Sequence, residues 1–470
     1  MKIRSYQEDM VKAQRGFMIN KKQQRGQIYS PTGSGKTVCF DIMINEEIRT
    51  GDKENTKKKI CIVYPRIALA MDQQTRLKDK KNVEFTNFHS GGIDAPSPTA
   101  NLSREQISTT SVAELEEVME TTDKHHITLA SYKSFKKIAP KKFDLIICDE
   151  AHNLVQSQYA ETLEKIESKV IFYTATPINV SDDLKEKVNG MNNEKLFGKV
   201  LCRIKPKELI DQGYIVKPLL VALNISTNGE GKTIKDYLAI AHAFNDQKER
   251  LTKITNKMLV AMSSTQEFKT IQDNINEMRN IVKGNLDLYS ITAGTQYKNG
   301  INLPSREAAL KDFAENKNQS IILHCDTLAE GIDVPGITGI FLLRGLTKAK
   351  FIQTIGRAAR PSSLDINIDG EVIDMENRVK PYAIITIAVV DDKHHSNIDS
   401  DDICNAFIEG GYGDNVSDIT QYIVKEPVTG TYNSTLGQTL TQAITYKEIE
   451  KVVANQINLL DFSLNEECFI

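Results

Sequence analysis

Short apolar runs rich in branched side chains alternate with stretches of helical composition along most of this chain, and this alternation limits the fold more than any other feature. A first set of strand-like runs covers 26–30, 60–64, 127–130, 145–148 and 170–173, and helix-like stretches such as 36–49 and 66–80 lie between them. A second set covers 258–262, 286–291, 321–324, 339–343 and 383–390. Parallel strands need long crossovers, which are usually helices, so the pattern predicts an α/β chain with two parallel sheets, each covered on both faces. The charged segment between Lys205-Pro206 and Lys217-Pro218 marks the boundary, giving domains at 1–210 and 211–395. Residues 396–470 lose the alternation and form a short acidic C-terminal extension, with 445–460 a candidate closing helix.

Composition narrows the function classes. Apolar residues make up 40% and charged residues 26% of 470, which excludes a largely disordered chain. The longest apolar runs are strand-length and the N-terminus carries no apolar leader, so we expect no membrane span and a cytoplasmic protein. Seven scattered cysteines without a Cys-x-x-Cys pair fit a reducing compartment and core packing rather than zinc or disulfides. Residues 391–470 hold 14 acidic and 4 basic side chains, so the net charge of −3 leaves the first 390 residues positive. A polyanion partner is compatible with that balance.

Two motifs carry chemistry. Ser30-Pro31-Thr32-Gly33-Ser34-Gly35-Lys36-Thr37 lies between a strand and a helix. Glycines at 33 and 35 let the backbone curl its N–H groups toward phosphate oxygens, and the helix N-terminus adds partial positive charge. Lys36 would reach the β- and γ-phosphates of ATP, and Thr37 would hold Mg²⁺. Ser30 stands where the usual pattern begins with glycine. The second motif, Asp149-Glu150-Ala151-His152, closes a buried strand, where a carboxylate at the strand tip points into the ligand crevice of an α/β sheet. Asp149 is the second candidate Mg²⁺ ligand, and Glu150 the group that polarises the attacking water.

With these motifs the chain resembles the superfamily 2 helicases and translocases over residues 1 to about 390. Arg4-Ser5-Tyr6-Gln7 is similar to the adenine-reading motif of that group, with Arg4 and Gln7 as its contacts, and the Ser30–Thr37 loop is similar to motif I. Asp149–His152 resembles motif II and Thr174-Ala175-Thr176-Pro177 resembles motif III. In the second unit, 258–264 is similar to motif IV without its usual aromatic residue, and 325–335 resembles motif V, with Gly331 and Asp333 as nucleotide contacts. Gln353-Thr354-Ile355-Gly356-Arg357-Ala358-Ala359-Arg360-Pro361 resembles motif VI. Gln353, Arg357 and Arg360 thus join Lys36, Asp149 and Glu150 as candidate catalytic residues. The two arginines, three apart, are expected on one helix face, where permanent planar charge suits a developing γ-phosphate.

The resemblance implies two tandem RecA-like parallel-sheet domains that close on ATP and reopen after hydrolysis. It also implies a nucleic-acid track, for which Pro65, Arg66, Gly91, Gly92, Ser131, Tyr132, Thr327 and Arg344 are candidate contacts, mostly to phosphate. Thr174-Ala175-Thr176 and the Gly-Arg-Ala-Ala-Arg-Pro ending of motif VI resemble DNA-directed members: repair and branch-migration helicases, phage ones included, and restriction-enzyme motors. The expected function is therefore an ATP-dependent DNA helicase or translocase acting on single-stranded, forked or branched DNA in repair or recombination. An RNA helicase and an ATP-switched motor subunit of a restriction or defence complex are the alternatives, with the acidic extension as the docking surface of a protein partner. The pairs His125-His126 and His394-His395 lack companions that would complete a metal site and are expected at the surface, and Asp399, Asp401 and Asp402 lack a calcium-loop pattern.

Overall fold

In the computed structural model, the described residues are 3–65, 82–88, 106–180, 190–226, 236–262, 264–292, 294–325, 336–343, 348–367 and 377–390, with Val334, 372–374, Tyr412, 419–425 and 443–444. The chain divides into two compact units, one ending at Ile204 and the other starting at Lys205. The expected helices at 66–80 and 445–460 lie outside the described residues.

The first unit holds strands β1 (Arg25–Tyr29), β2 (Lys59–Tyr64), β3 (Val83–Phe88), β4 (Gln106–Thr109), β5 (His125–Ser131), β6 (Leu145–Cys148), β7 (Val170–Thr174) and β8 (Lys199–Arg203). Its helices are α1 (Ser5–Ile19), α2 (Lys36–Glu54), α3 (Val112–Thr121), α4 (Tyr132–Ile138), α5 (Ala160–Glu164) and α6 (Glu194–Phe197). The strands form one sheet in the order β4-β3-β5-β2-β6-β7-β1-β8, and every pairing is parallel. β6 and β7 are buried at every position, as strands covered on both faces must be. Cys61, Cys148, Phe172 and Phe197 belong to the core, and burial pushes the Cys61 and Cys148 thiols well up, so both act as small apolar side chains.

The second unit contains α7 (Pro206–Asp211), α8 (Asp236–Arg250), α9 (Glu267–Asp273), α10 (Ile275–Val282), α11 (Arg306–Glu315) and α12 (Lys348–Ala358). Its strands are β9 (Lys217–Ser226), β10 (Lys257–Ala261), β11 (Leu286–Ile291), β12 (Gln296–Lys298), β13 (Ile301–Asn302), β14 (Gln319–His324), β15 (Gly339–Leu342), β16 (Tyr382–Val390), β17 (Ile419–Lys425) and β18 (Ala443–Ile444). The sheet order is β13-β12-β11-β14-β10-β15-β16-β9-β17-β18. Its centre is parallel, and antiparallel pairs occur at the β11-β12-β13 end and between β17 and β18. Residues 419–425, inside the region read as an extension, run parallel to β9 and so belong to this sheet. Two parallel-sheet α/β units therefore form the architecture, as the alternation of strands and helices predicts. Among the described residues no helix is long and apolar enough to cross a membrane.

The first histidine pair corrects an expectation. His125 and His126 are both fully buried, on β5 between β2 and β3. Opposite directions along a strand do not mean exposure when both sheet faces are covered. His125 Nδ1 accepts from Lys58 N–H at 3.0 Å and its Nε2 meets Asp52 Oδ1 at 2.9 Å, pinning the strand to the end of α2. His126 Nε2 lies 2.9 Å from Thr86 Oγ1. His394 and His395 lie outside the described residues, among which no group of three metal-ligating side chains occurs.

Burial, helped by nearby Lys59, pushes the His126 imidazole down to about 4. A histidine held neutral in the fold but free to take a proton in the unfolded chain makes stability fall with acid. The loss begins below pH of about 6.5, ends near the folded value, and is on the order of 3 kcal/mol. In denaturant titrations from pH 7 to 4, His126→Gln is expected to flatten that acid limb, and an unchanged limb would show that His126 is not its source.

Candidate active site

Parallel pairing in the order β6-β7-β1 brings three loops side by side at the carboxyl ends of the strands, where open α/β sheets bind ligands. After β1, Ser30 N–H continues the pairing by donating to Thr174 O at 3.0 Å, and the chain turns into the glycine loop. Gly33 and Gly35 have φ of 82° and 81°, a left-handed conformation that side chains disfavour. A Cβ on Gly35 would also overlap the Gln7 amide nitrogen. α2 begins at Lys36, and its N-cap, Gly35, supplies no capping side chain. The loop is braced inside by Ser30 Oγ donating to Ser34 Oγ at 2.7 Å, a contact that glycine at position 30 would lack.

α1 fastens the same loop from outside. Tyr6 Oη and Gln7 Nε2 both donate to Ser34 O, at 2.8 and 3.0 Å, while Gln7 Oε1 accepts from Arg4 N–H at 3.0 Å. Gln7 is 7% exposed, so both ends of the amide expected to read adenine are engaged within the chain. Arg4 is half-buried and its guanidinium donates to Tyr6 Oη at 3.4 Å. Tyr6 is a loop-holding residue that the motif comparison missed, although it adjoins Gln7.

Lys36 is buried, and its Nζ donates to Ser30 O at 3.2 Å and lies 4.0 Å from Glu150 Oε1. Thr32 Oγ1 is buried without a protein hydrogen-bond partner. A buried ammonium, an unpartnered hydroxyl and a helix N-terminus without a capping side chain form the donor set that a nucleotide phosphate requires.

Asp149 closes β6. Its N–H donates to Val63 O at 2.9 Å, and its carboxylate Oδ1 accepts from Glu150 N–H at 3.0 Å. Burial, reinforced by the Glu150 charge and opposed by Lys36, raises the Asp149 carboxyl above the ordinary carboxylate range. A carboxylate so placed gains from a cation, and with the hydroxyl of half-buried Thr37 it forms the pair that would hold Mg²⁺. Glu150 sits at φ 51°, a strained left-handed position. His152 Nδ1 is 3.5 Å from Glu150 Oε2 and lies 3.0 and 3.1 Å from the hydroxyls of Thr174 and Thr176. One imidazole thus connects the glutamate to the loop after β7.

In the second unit, α12 carries Gln353 and Arg357, both buried. Gln353 Oε1 has no hydrogen-bond partner. The helix ends at Ala358, so Arg360 lies beyond it, and the expectation of two arginines sharing one helix face is corrected. Their relative placement depends on the non-helical residues 359–360.

Of the candidate strand contacts, Pro65 directly follows β2 and is half-buried. Ser131 is also half-buried, and its hydroxyl accepts from Ser134 N–H as the cap of α4. Tyr132 corrects another expectation: it is 3% exposed, and its hydroxyl donates to Asp149 O at 2.6 Å. This side chain supports the acidic motif from beneath and is not offered to a strand. Arg66, Gly91, Gly92, Thr327, Gly331, Asp333 and Arg344 lie outside the described residues.

Comparisons with known proteins agree with this layout. Residues 1–179 match the family described as type III restriction enzyme, res subunit, and residues 243–362 match the helicase conserved C-terminal domain. The Saccharomyces cerevisiae protein IRC3, named as an ATP-dependent helicase, is 22% identical over 372 residues, covering 76% of this chain and 49% of the relative. A protein of African swine fever virus named as helicase A859L is 22% identical over 278 residues, covering 55% of this chain and 30% of the relative. The chain thus spans about half, or less, of these relatives. Among solved structures, the type ISP restriction-modification enzyme LlaBIII bound to DNA superposes with a TM-score of 0.60 at 17% identity, over 84% of this chain and 28% of the other. The DEAD-box helicase Mss116 bound to single-stranded RNA gives 0.53 at 14% identity, over 91% of this chain and 79% of the other. At such identities the likeness is one of fold.

Removing the Tyr132 hydroxyl leaves the Asp149 carbonyl without its donor. Tyr132→Phe is expected to lower unfolding stability by about 1 kcal/mol in denaturant melts while leaving oligonucleotide affinity unchanged. A loss of affinity without a loss of stability would return Tyr132 to the strand contacts.

Proposed function

Because the chain belongs to the superfamily 2 helicases and translocases, we propose that it is an ATP-hydrolysing motor that moves along or remodels DNA. The observation that carries this reading is the convergence of Lys36, Asp149, Glu150 and His152 at the carboxyl ends of β1 and β6. Lys36 exchanges its carbonyl and carboxylate partners for phosphate oxygens. Thr37 and Asp149 would hold Mg²⁺, which would neutralise phosphate charge and polarise the bond to be cleaved. Glu150, released from Lys36, takes a proton from the water whose oxygen attacks the γ-phosphorus as the bond to the ADP oxygen breaks, leaving ADP and phosphate, and His152 links Glu150 to Thr174 and Thr176. Arg357 and Arg360 supply positive charge to the γ-phosphate during turnover.

The choice of DNA rests on the restriction-enzyme family match over 1–179 and on the wording of motifs III and VI, Thr174-Ala175-Thr176 and Gly356–Pro361. Single-stranded, forked or branched DNA is the preferred substrate, in repair or recombination inside the cell. The same family match favours a second reading, a motor subunit of a restriction or defence assembly that meets its partner through residues 396–470.

The test is the steady-state ATPase rate without nucleic acid and with single-stranded DNA, duplex DNA, forked DNA or single-stranded RNA, using Lys36→Ala as the blank. Stimulation by DNA, greatest for forks, is expected. Glu150→Gln is expected to retain ATP binding and lose about 100-fold or more in turnover. Stimulation by RNA alone would replace DNA with RNA, and a rate equal to the blank under every condition would sink the motor reading.

A further inference from the structure

Motif VI ends in a polar knot whose donors come from far along the chain. Past the end of α12, the carbonyls of Ala358, Ala359 and Arg360 have no place in the helical ladder. Lys380 Nζ donates to Ala358 O and to Arg360 O, both at 2.6 Å, and Val216 N–H donates to Ala359 O at 2.7 Å. The third proton of the same ammonium reaches Ile337 O at 2.7 Å, two residues beyond the segment read as motif V. One cation therefore ties the trailing edges of motifs V and VI together.

The lysine is itself held in place. Asp365, fully buried, accepts from Val379 N–H at 2.7 Å and from Lys380 N–H at 3.2 Å, which fixes the backbone that carries the ammonium. Lys380 is 3% exposed, and burial pushes its ammonium down to about 7, with Asp365 opposing the shift and Arg360 adding to it. A side chain that only filled space would not need three donors or a buried charge. The three carbonyls need them, because an unsatisfied buried acceptor costs about 1–3 kcal/mol. A cation at a helix C-terminus also meets the negative end of the helix dipole.

We propose that Lys380 is a positioning residue for the motif VI arginines: its ammonium fixes the backbone from Ala358 to Arg360, and so the end of the segment from which both guanidinia project. The inference rests on the proposed motor function. It assigns work to a residue 20 positions beyond Arg360, in a stretch, Arg378-Val379-Lys380-Pro381, with no local signal of a site.

The test compares Lys380→Met, Lys380→Gln and Lys380→Arg for kcat, KM for ATP and melting temperature, with the Arg357→Ala/Arg360→Ala pair alone and combined with Lys380→Gln. Removing the donors is expected to lower kcat by about 10–100-fold in the Met variant and less in Gln, with the Arg variant partly rescued. KM for ATP should stay near wild type, because the glycine loop belongs to the other unit. In the background lacking both arginines Lys380→Gln should cost nothing further, since the lysine acts through them. An additive loss there, a wild-type kcat in Lys380→Gln, or a rise in KM with kcat intact would overturn the assignment. If Lys380→Met does not fold, the Gln variant and the combined-variant comparison decide. Wild-type hydrolysis with an unaffected Gln variant defeats this inference alone, whereas wild-type hydrolysis no faster than Lys36→Ala defeats it together with the motor reading.

Discussion

The parallel hydrogen bonding of β6, β7 and β1 is the constraint on which the rest of the first unit depends. Its register sets Cys148 opposite Phe172 and Tyr29 opposite Thr174, so three strands end at nearly the same level. The glycine loop and the acidic pair are the next residues along β1 and β6, and the threonine pair, Thr174 and Thr176, straddles the end of β7. A shift of one residue would turn every side chain of a strand to the opposite face. It would separate Lys36 from Glu150 and His152 from Thr174 while leaving the composition of each strand as apolar as before. The site is thus a consequence of register.

A second interaction recurs across both units. Lysines reach back from distant segments to the last carbonyls of helices: Lys169 to Phe17, Met18 and Asn20 at the end of α1, Lys248 to Val282 and Lys283 beyond α10, and Lys257 to Phe313 and Ala314 on α11. Lys380 does the same for α12. Each satisfies acceptors that a helix cannot satisfy itself and places charge where the dipole favours it. Burial lowers the ammonium of Lys169, Lys257 and Lys380 alike, so these contacts trade desolvation against several charged hydrogen bonds.

What the sequence discloses and what it conceals divide along distance. β6 and β11 occupy the residues their apolar runs indicate, and the glycine loop turns between strand and helix as its spacing requires, because these are local properties. The burial of His125 and His126 is not local: it depends on Asp52, Lys58 and Thr86 lying beside them across the sheet. Tyr132 read as a loop residue beside a strand end, yet its role is set by a carbonyl 17 positions away. The end of α12 carries no glycine stop within the motif, and what holds the chain beyond Ala358 comes from Val216 and Lys380. Long-range polar partners leave no periodicity behind them, so no pattern within a window of residues reports them.

The place of β9 has a consequence for how the molecule comes into being. Among the described residues its sheet neighbours are β16 and β17, so the opening strand of the second unit waits for Tyr382–Val390 before it can pair with them. At ribosomal speeds of about 5–20 residues per second, the wait is roughly ten to thirty seconds. During that time Pro218-Leu219-Leu220-Val221-Ala222-Leu223 has made none of its sheet bonds, while the strands of the first unit have all been made by residue 203. The nascent chain therefore carries an unpaired apolar segment after the eight described strands of the first sheet have been made. Such a segment is a template for wrong pairing while the chain is being made.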